Sequence, residues 1–133
     1  MAQAMPTTFE DLDAFKYAVD LTRDIYEATE NFPKREHYGL SAQLRRAAVS
    51  VLSNIAEGQG RLTSGEWRQM LSHARGSLYE IEAQIIVAAA LGFMSESTAQ
   101  QLRARTKRAG QPLAGLIKYV RSLERRKPAT SNR

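Results

Sequence analysis

Two histidines, His37 and His73, are the side chains best suited to proton transfer or metal binding in this 133-residue chain, and neither has the neighbours it would need. A metal site in a helical bundle takes inward glutamates and a Glu-x-x-His pair. Here Lys34 and Met70 stand three residues before the two histidines. Glu80 and Glu82 fall on different sides of a helix. Serines are plentiful, but no His and acid can be assigned to any of them as a triad. The stretch "EGQGR" at 57–61 lacks the Gly-Lys-Ser/Thr ending and the preceding strand of a phosphate loop. The chain has no cysteine, so disulfides, zinc–thiolate sites and a thiol nucleophile are excluded. These residues predict a protein that is not an enzyme and that uses no metal or cofactor.

Charge offers the other chemistry. The net charge is +5, yet residues 1–102 carry a net −4 and residues 103–133 a net +9. Arg103, Lys107, Lys118, Arg121 and Arg125 fall within about 60° of one another on a helical wheel. Together they line about 33 Å of one helix. Arg108 and Arg126 widen this stripe. Tyr119 is the single aromatic beside it, so the pattern suits phosphate contact without base reading. RNA or DNA is the partner it predicts. A protein partner bound by a scaffold is the alternative, and salt dependence of RNA binding separates the two.

The elements that must position these residues read as four amphipathic helices. The first is predicted from about Thr8 to Asn31, capped by Thr8, with a stripe of Leu12, Phe15, Val19, Tyr26 and Thr29, and stopped by Pro33. The second runs from about Leu40 to Glu57 on Leu40, Leu44, Ala48, Val51 and Ile55, with Gly58 as its stop. Thr63 and Glu66 fit a capping box that opens the third. There Trp67, Leu71, Ala74, Leu78, Ile81, Ile85 and Ala88 keep a seven-residue repeat until Gly92. The fourth, capped by Ser95 or Ser97, carries Ala99, Leu102, Ala109, Leu113, Leu116 or Ile117, Val120 and Leu123. Pro112 predicts a kink or short break in it. No strand alternation is present. The expectation is an all-α, antiparallel up-down-up-down four-helix bundle over 9–125, with a disordered N-terminus (1–8) and a basic disordered tail (126–133).

The second and third helices are bland on the side away from their core stripes. That face holds Ala42, Arg46, Val49, Ser53 and Ala56 on one and Ser72, Gly76, Tyr79, Ala83 and Val87 on the other. A helix that is small or apolar nearly all round is usually buried on two sides, and a patch of this extent needs a partner. A closed homo-oligomer is therefore expected, with these ten residues at its interface. Glu57 stands near a helix C-terminus, where an acid is disfavoured. Arg45, Arg46, Glu57 and Arg61 are accordingly read as a structural charge cluster, with Arg61 or an arginine of another subunit facing Glu57. The N-terminus has neither a basic nor an apolar signal segment. The longest apolar run, "IIVAAALGFM", is half a membrane span. A cytoplasmic location without membrane contact is the expectation.

The segment "IYEATENFPKREHYGLSAQLRRAAVSVLSNIAEGQGR", followed by "ARGSLYEIEAQIIVAAALGF", resembles a family of bacterial four-helix-bundle proteins. Its members are often encoded in intervening sequences of large-subunit ribosomal RNA genes. The resemblance spans roughly 9–123 and rests on Phe32-Pro33, Tyr38-Gly39-Leu40, Gln43 to Ala48, Ser53 to Gly58, Arg61 and Gly76-Ser77. Arg35 stands where the family usually has an acid, and "SVLSN" lacks a proline often found there. The resemblance implies an antiparallel four-helix bundle without assigned activity. It also implies rings of five subunits, which favours a homopentamer. The accessory proteins of diversity-generating retroelements look like distant cousins that bind reverse transcriptase and nucleic acid.

Overall fold

Periodicity and capping place the helix boundaries, and the computed structural model, which describes residues 8–126, shows how they pack. Four α-helices follow in order, α1 (Asp13–Thr29), α2 (Leu40–Gln59), α3 (Ser64–Ala90) and α4 (Glu96–Arg125), with no strand among the described residues. Apart from Thr8 and Arg126, the two terminal segments expected to be disordered lie outside the described residues. Short 3-10 turns at Phe9–Asp11 and Lys34–Glu36 flank α1.

Caps act where the sequence put them, with one displacement. The Thr8 hydroxyl accepts from the Glu10 amide, but it starts a separate 3-10 turn, and extended backbone at Leu12 delays α1 to Asp13. Thr63 accepts from the Glu66 amide at 3.1 Å to open α3. Ser95, not Ser97, opens α4 by accepting from Thr98 at 3.0 Å. At the end of α3, Gly92 takes φ +78°, its amide donates to Ala89, and the Phe93 amide reaches back to Ala88. This pair of bonds satisfies the last carbonyls and needs glycine at the left-handed position.

Each helix packs on two others, α2 on α1 and α3, and α4 on α3 and α1, and no pair packs across the diagonal. Cross-helix pairs set the register. On α2 and α3, Ser50 and Ser77 share a hydrogen bond at 2.9 Å, and Gly58 lies against Trp67. On α3 and α4, Arg68 bonds Glu124 at 2.7 Å and Glu82 bonds Arg103 at 3.2 Å. On α1 and α4, Asp24 bonds Arg105 at 2.7 Å.

Most of the α3 repeat is in the core, since Leu71, Ala74, Leu78, Ile81, Ile85 and Ala88 are buried, while Trp67 is half-buried against it. On α2 Leu44, Ala48, Val51 and Ile55 are buried and Leu40 is half-buried; on α4 Ala99, Leu102, Ala109, Leu113, Ile117 and Val120 are buried, whereas Leu116 and Leu123 are half-buried. Three sequence readings are corrected. The buried stripe of α1 is Ala14, Ala18, Leu21, Ile25 and Thr29, of which Thr29 alone was expected, while Tyr26 is exposed and Leu12, Phe15 and Val19 are half-buried. Small alanines let α1 approach its neighbours, and the larger aromatics sit at the margins. Gly58 does not stop α2, which runs on to Gln59. It is buried inside the helix, where a Cβ would lie 2.9 Å from Trp67 Cδ1 and 3.2 Å from Met70 Cβ. The α4 helix continues through Pro112 without a break.

Candidate nucleic-acid interface

The five cations predicted to act together on α4 are not equivalent. Arg103 is half-buried and turned toward α3, with Nη2 3.2 Å and Nε 3.4 Å from Glu82 Oε2. Its charge is largely neutralised before any ligand arrives. Lys107 is exposed and lines a groove of about 450 Å³ between α3 and α4, beside Arg75, Tyr79 and Glu82. Lys118, Arg121 and Arg125 are exposed and have no carboxylate partner within 4 Å among the described residues. The available positive charge therefore lies in the C-terminal part of α4, with Lys107 three turns away. Arg108, expected to widen the stripe, instead points toward α1 and lies 4.4 Å over the Tyr17 ring.

The four residues read as a charge cluster divide in two. Glu57 pairs with Arg61 at 3.3 Å, an i,i+4 contact between side chains that stay 62% and 43% exposed. Arg45 and Arg46 sit about 17 Å away along α2. Arg45 Nε donates to Thr29 Oγ1 at 2.8 Å, its Nη2 to the Tyr26 carbonyl at 3.2 Å, and its guanidinium covers the Tyr26 ring at 4.5 Å. Arg46 is exposed. Within one chain, then, the Glu57–Arg61 pair does not meet Arg45 or Arg46.

The bland faces of α2 and α3 point outward. Arg46, Val49, Ser53, Gly76, Tyr79, Ala83 and Val87 are exposed, and Ala42, Ala56 and Ser72 are half-buried. Gly76 has no atom within 4 Å of where a Cβ would stand. Ile86 and Leu91 add further exposed apolar surface on and beyond α3. A polar groove lined by Gln43, Arg46, Ser50 and Glu80 runs between the two stripes.

One feature escaped the sequence reading. Around the α1–α2 connection an open cleft of about 970 Å³ is lined by Lys34, Arg35, His37, Tyr38, Arg45 and Arg46, with Glu30 as its acidic residue. Arg35 leans on the Phe93 ring at 5.7 Å, and Phe93 packs on Phe32, which ties this connection to the one before α4. The density of cations and aromatics over 32–46 is the signal that could have found it.

Among the described residues, no group of three or more histidines and carboxylates is placed to hold a metal ion. No helix there is long and apolar enough to cross a membrane.

Residues 10–115 match the model of the 23S rRNA-intervening sequence protein family. A solved structure from Bacteroides thetaiotaomicron, described as a protein of unknown function from the S23 ribosomal protein family, is similar in fold. Its TM-score is 0.71 at 14% identity, over 79% of this chain and 95% of that one. No curated protein sequence matches the chain.

Proposed function

The chain belongs to the 23S rRNA-intervening sequence protein family, and from that premise we propose that it is a non-enzymatic homo-oligomer that associates with RNA or DNA through the basic surface of α4. In this reading the bundle is antiparallel, up-down-up-down, and copies assemble as a closed ring through the outward faces of α2 and α3. Five subunits are favoured by the family resemblance. The observation that carries nucleic-acid association is the group Lys118, Arg121 and Arg125, exposed and without carboxylate partners among the described residues. Exposed cations of this kind neutralise phosphates and release counterions, which supplies sequence-independent affinity. A ring repeats the group on each subunit and multiplies weak contacts.

The test is the salt dependence of binding to a labelled duplex and a labelled single strand. Changing Lys107, Lys118, Arg121 and Arg125 together to Gln should weaken binding to every sequence alike. Each change should reduce the log–log salt slope by about 1. Arg103→Gln should leave the slope unchanged, because Glu82 already holds that charge. Absence of wild-type binding at ~50 mM salt, where such contacts are strongest, would remove the reading.

A scaffold that binds protein is the second reading, favoured by Tyr79 at 68%, Leu91 at 58%, Ile86 at 47% and Val87 at 46% exposure. Native mass spectrometry decides the shared premise of assembly. Ala83→Arg should dissociate the oligomer and leave helicity intact. A monomeric wild type at micromolar concentration would refute the ring.

A further inference from the structure

The cleft at the α1–α2 connection sets cations around a ring far more exposed than that of α4, where Tyr119 is 42% exposed and packs edge-on against Trp67. Lys34, Arg35, Arg45 and Arg46 line it against one acid, Glu30. None of the four lies within 4 Å of a carboxylate among the described residues. The nearby Glu36 carboxylate is already engaged, accepting from the Leu40 amide at 2.9 Å. Two of the cations are held in place by aromatic faces, Arg45 on Tyr26 and Arg35 on Phe93. Lys34 and the exposed Arg46 make no such contact among the described residues; Lys34 is free to meet phosphate, and Arg46, which also stands on the α2 face proposed to meet another subunit, does so from the first turns of that helix.

Tyr38 stands between them. It is 89% exposed, far more than a ring of its size gains from solvent. The His37 ring meets it edge-on with centroids 4.7 Å apart, which leaves a face of the phenol ring open. Tyr38 sits just ahead of α2, on a short connection whose ends are fixed by Phe32 in the core and by the Glu36–Leu40 bond. The cleft volume, about 970 Å³, reaches the upper end of the roughly 300–1,000 Å³ typical of ligand sites. An open ring flanked by unpaired cations is how proteins hold unpaired bases, the ring stacking and the cations tracking the backbone. A duplex keeps its bases stacked inside and gives such a ring nothing to bind.

We infer that this cleft binds a single-stranded segment of nucleic acid, with a base stacked on Tyr38 and the flanking phosphates met by Lys34 and Arg46. The site lies at the opposite end of the bundle from Lys118, Arg121 and Arg125, and the inference does not depend on them. What it adds is a preference for unpaired strands that a phosphate-only surface cannot have.

The experiment uses the full chain and three fluorescent probes, a 12-nucleotide oligo-U, a 12-nucleotide oligo-dT and a 12-base-pair duplex, followed by anisotropy at several salt concentrations. Wild type should bind the single strands more tightly than the duplex. Tyr38→Ala should weaken single-strand binding on the order of 10-fold and leave duplex binding unchanged. Tyr38→Trp should restore it. Lys34→Gln with Arg46→Gln should lower the single-strand salt slope by about 1.4, two phosphates at roughly 0.7 each. The exposure of all three side chains predicts unchanged helicity, checked by circular dichroism, and native mass spectrometry checks that Arg46→Gln, on the α2 face proposed for the ring, leaves the assembly as in wild type. Equal affinity for the three probes, or Tyr38→Ala without effect on the single strands, overturns the inference. The quadruple Gln variant of α4 separates the two surfaces. If it alone removes binding, the cleft is not a site and the α4 reading stands. If only the cleft variants remove binding, the reverse holds. Oligo-U against oligo-dT reports whether the site prefers RNA or DNA.

Discussion

Replacing Gly58 and Gly76 by alanine, one at a time, should move stability in opposite directions. Both glycines lie inside helices, in α2 and α3, and each costs its helix about 1 kcal/mol relative to alanine. That gain is common to both substitutions. The surroundings differ. A Cβ at Gly58 would stand 2.9 Å from Trp67 Cδ1 and 3.2 Å from Met70 Cβ, whereas at Gly76 it meets nothing within 4 Å. Forcing a methyl into a packed seam costs about 1–3 kcal/mol. Gly76→Ala should therefore be stabilised by about 0.5–1 kcal/mol. Gly58→Ala should be destabilised by about 1 kcal/mol net, and the difference between the variants isolates the contact. For a chain of this size 1 kcal/mol is about 3–5 °C in Tm. Thermal unfolding followed by circular dichroism reads both values. Fluorescence of Trp67, the chain's one tryptophan, should shift in Gly58→Ala alone. Light scattering on the same samples detects any change of assembly at Gly76. A Tm for Gly58→Ala equal to or above that of Gly76→Ala would refute the packing argument.

Two further substitutions test other features. Glu57→Ala should change stability by no more than about 0.5 kcal/mol, because its pair with Arg61 is exposed and surface pairs contribute little; a larger loss, accompanied by a fall in native mass, would show that Glu57 has a partner on another subunit. Pro112→Ala should raise stability by about 1–3 kcal/mol in denaturant unfolding, since it restores an amide donor inside α4; no gain would mean that the helix already compensates for the missing bond.

What the sequence could show depended on how local the cause was. The α3 repeat was legible because large side chains recur at seven-residue spacing, and the caps at Thr63 and Ser95 because they act within three residues. The α1 stripe was misplaced because Phe15 and Tyr26 look more like core than Ala14 and Ala18. Only the closeness of neighbouring helices makes alanine the buried choice. Gly58 read as a stop because its reason, the Trp67 ring, lies on the next helix. The pairing of Arg103 with Glu82 joins residues 21 apart on two helices, so a wheel drawn for one helix counted that charge as free. The α1–α2 cleft was missed for a related cause, since its lining comes from a helix end, a connection and the first turns of another helix.

The order of packing also bears on how the chain finds its fold. The connection between α2 and α3 spans only residues 60–63, so their seam closes a very small loop. The α1–α4 seam joins Asp24 to Arg105, some eighty residues apart. By chain statistics alone, closing the loop of Asp24–Arg105 costs about 1 kcal/mol more than closing that of Ser50–Ser77. The α2–α3 pair is thus the cheaper nucleus, and the α1–α4 seam gains from forming once the other helices have shortened its loop. Weakening Ser50–Ser77 should then slow refolding, whereas weakening Asp24–Arg105 should leave refolding nearly untouched and speed unfolding. The same ion pair that completes the barrel of helices would act as its latch, governing how long a folded molecule persists and not how quickly it is made.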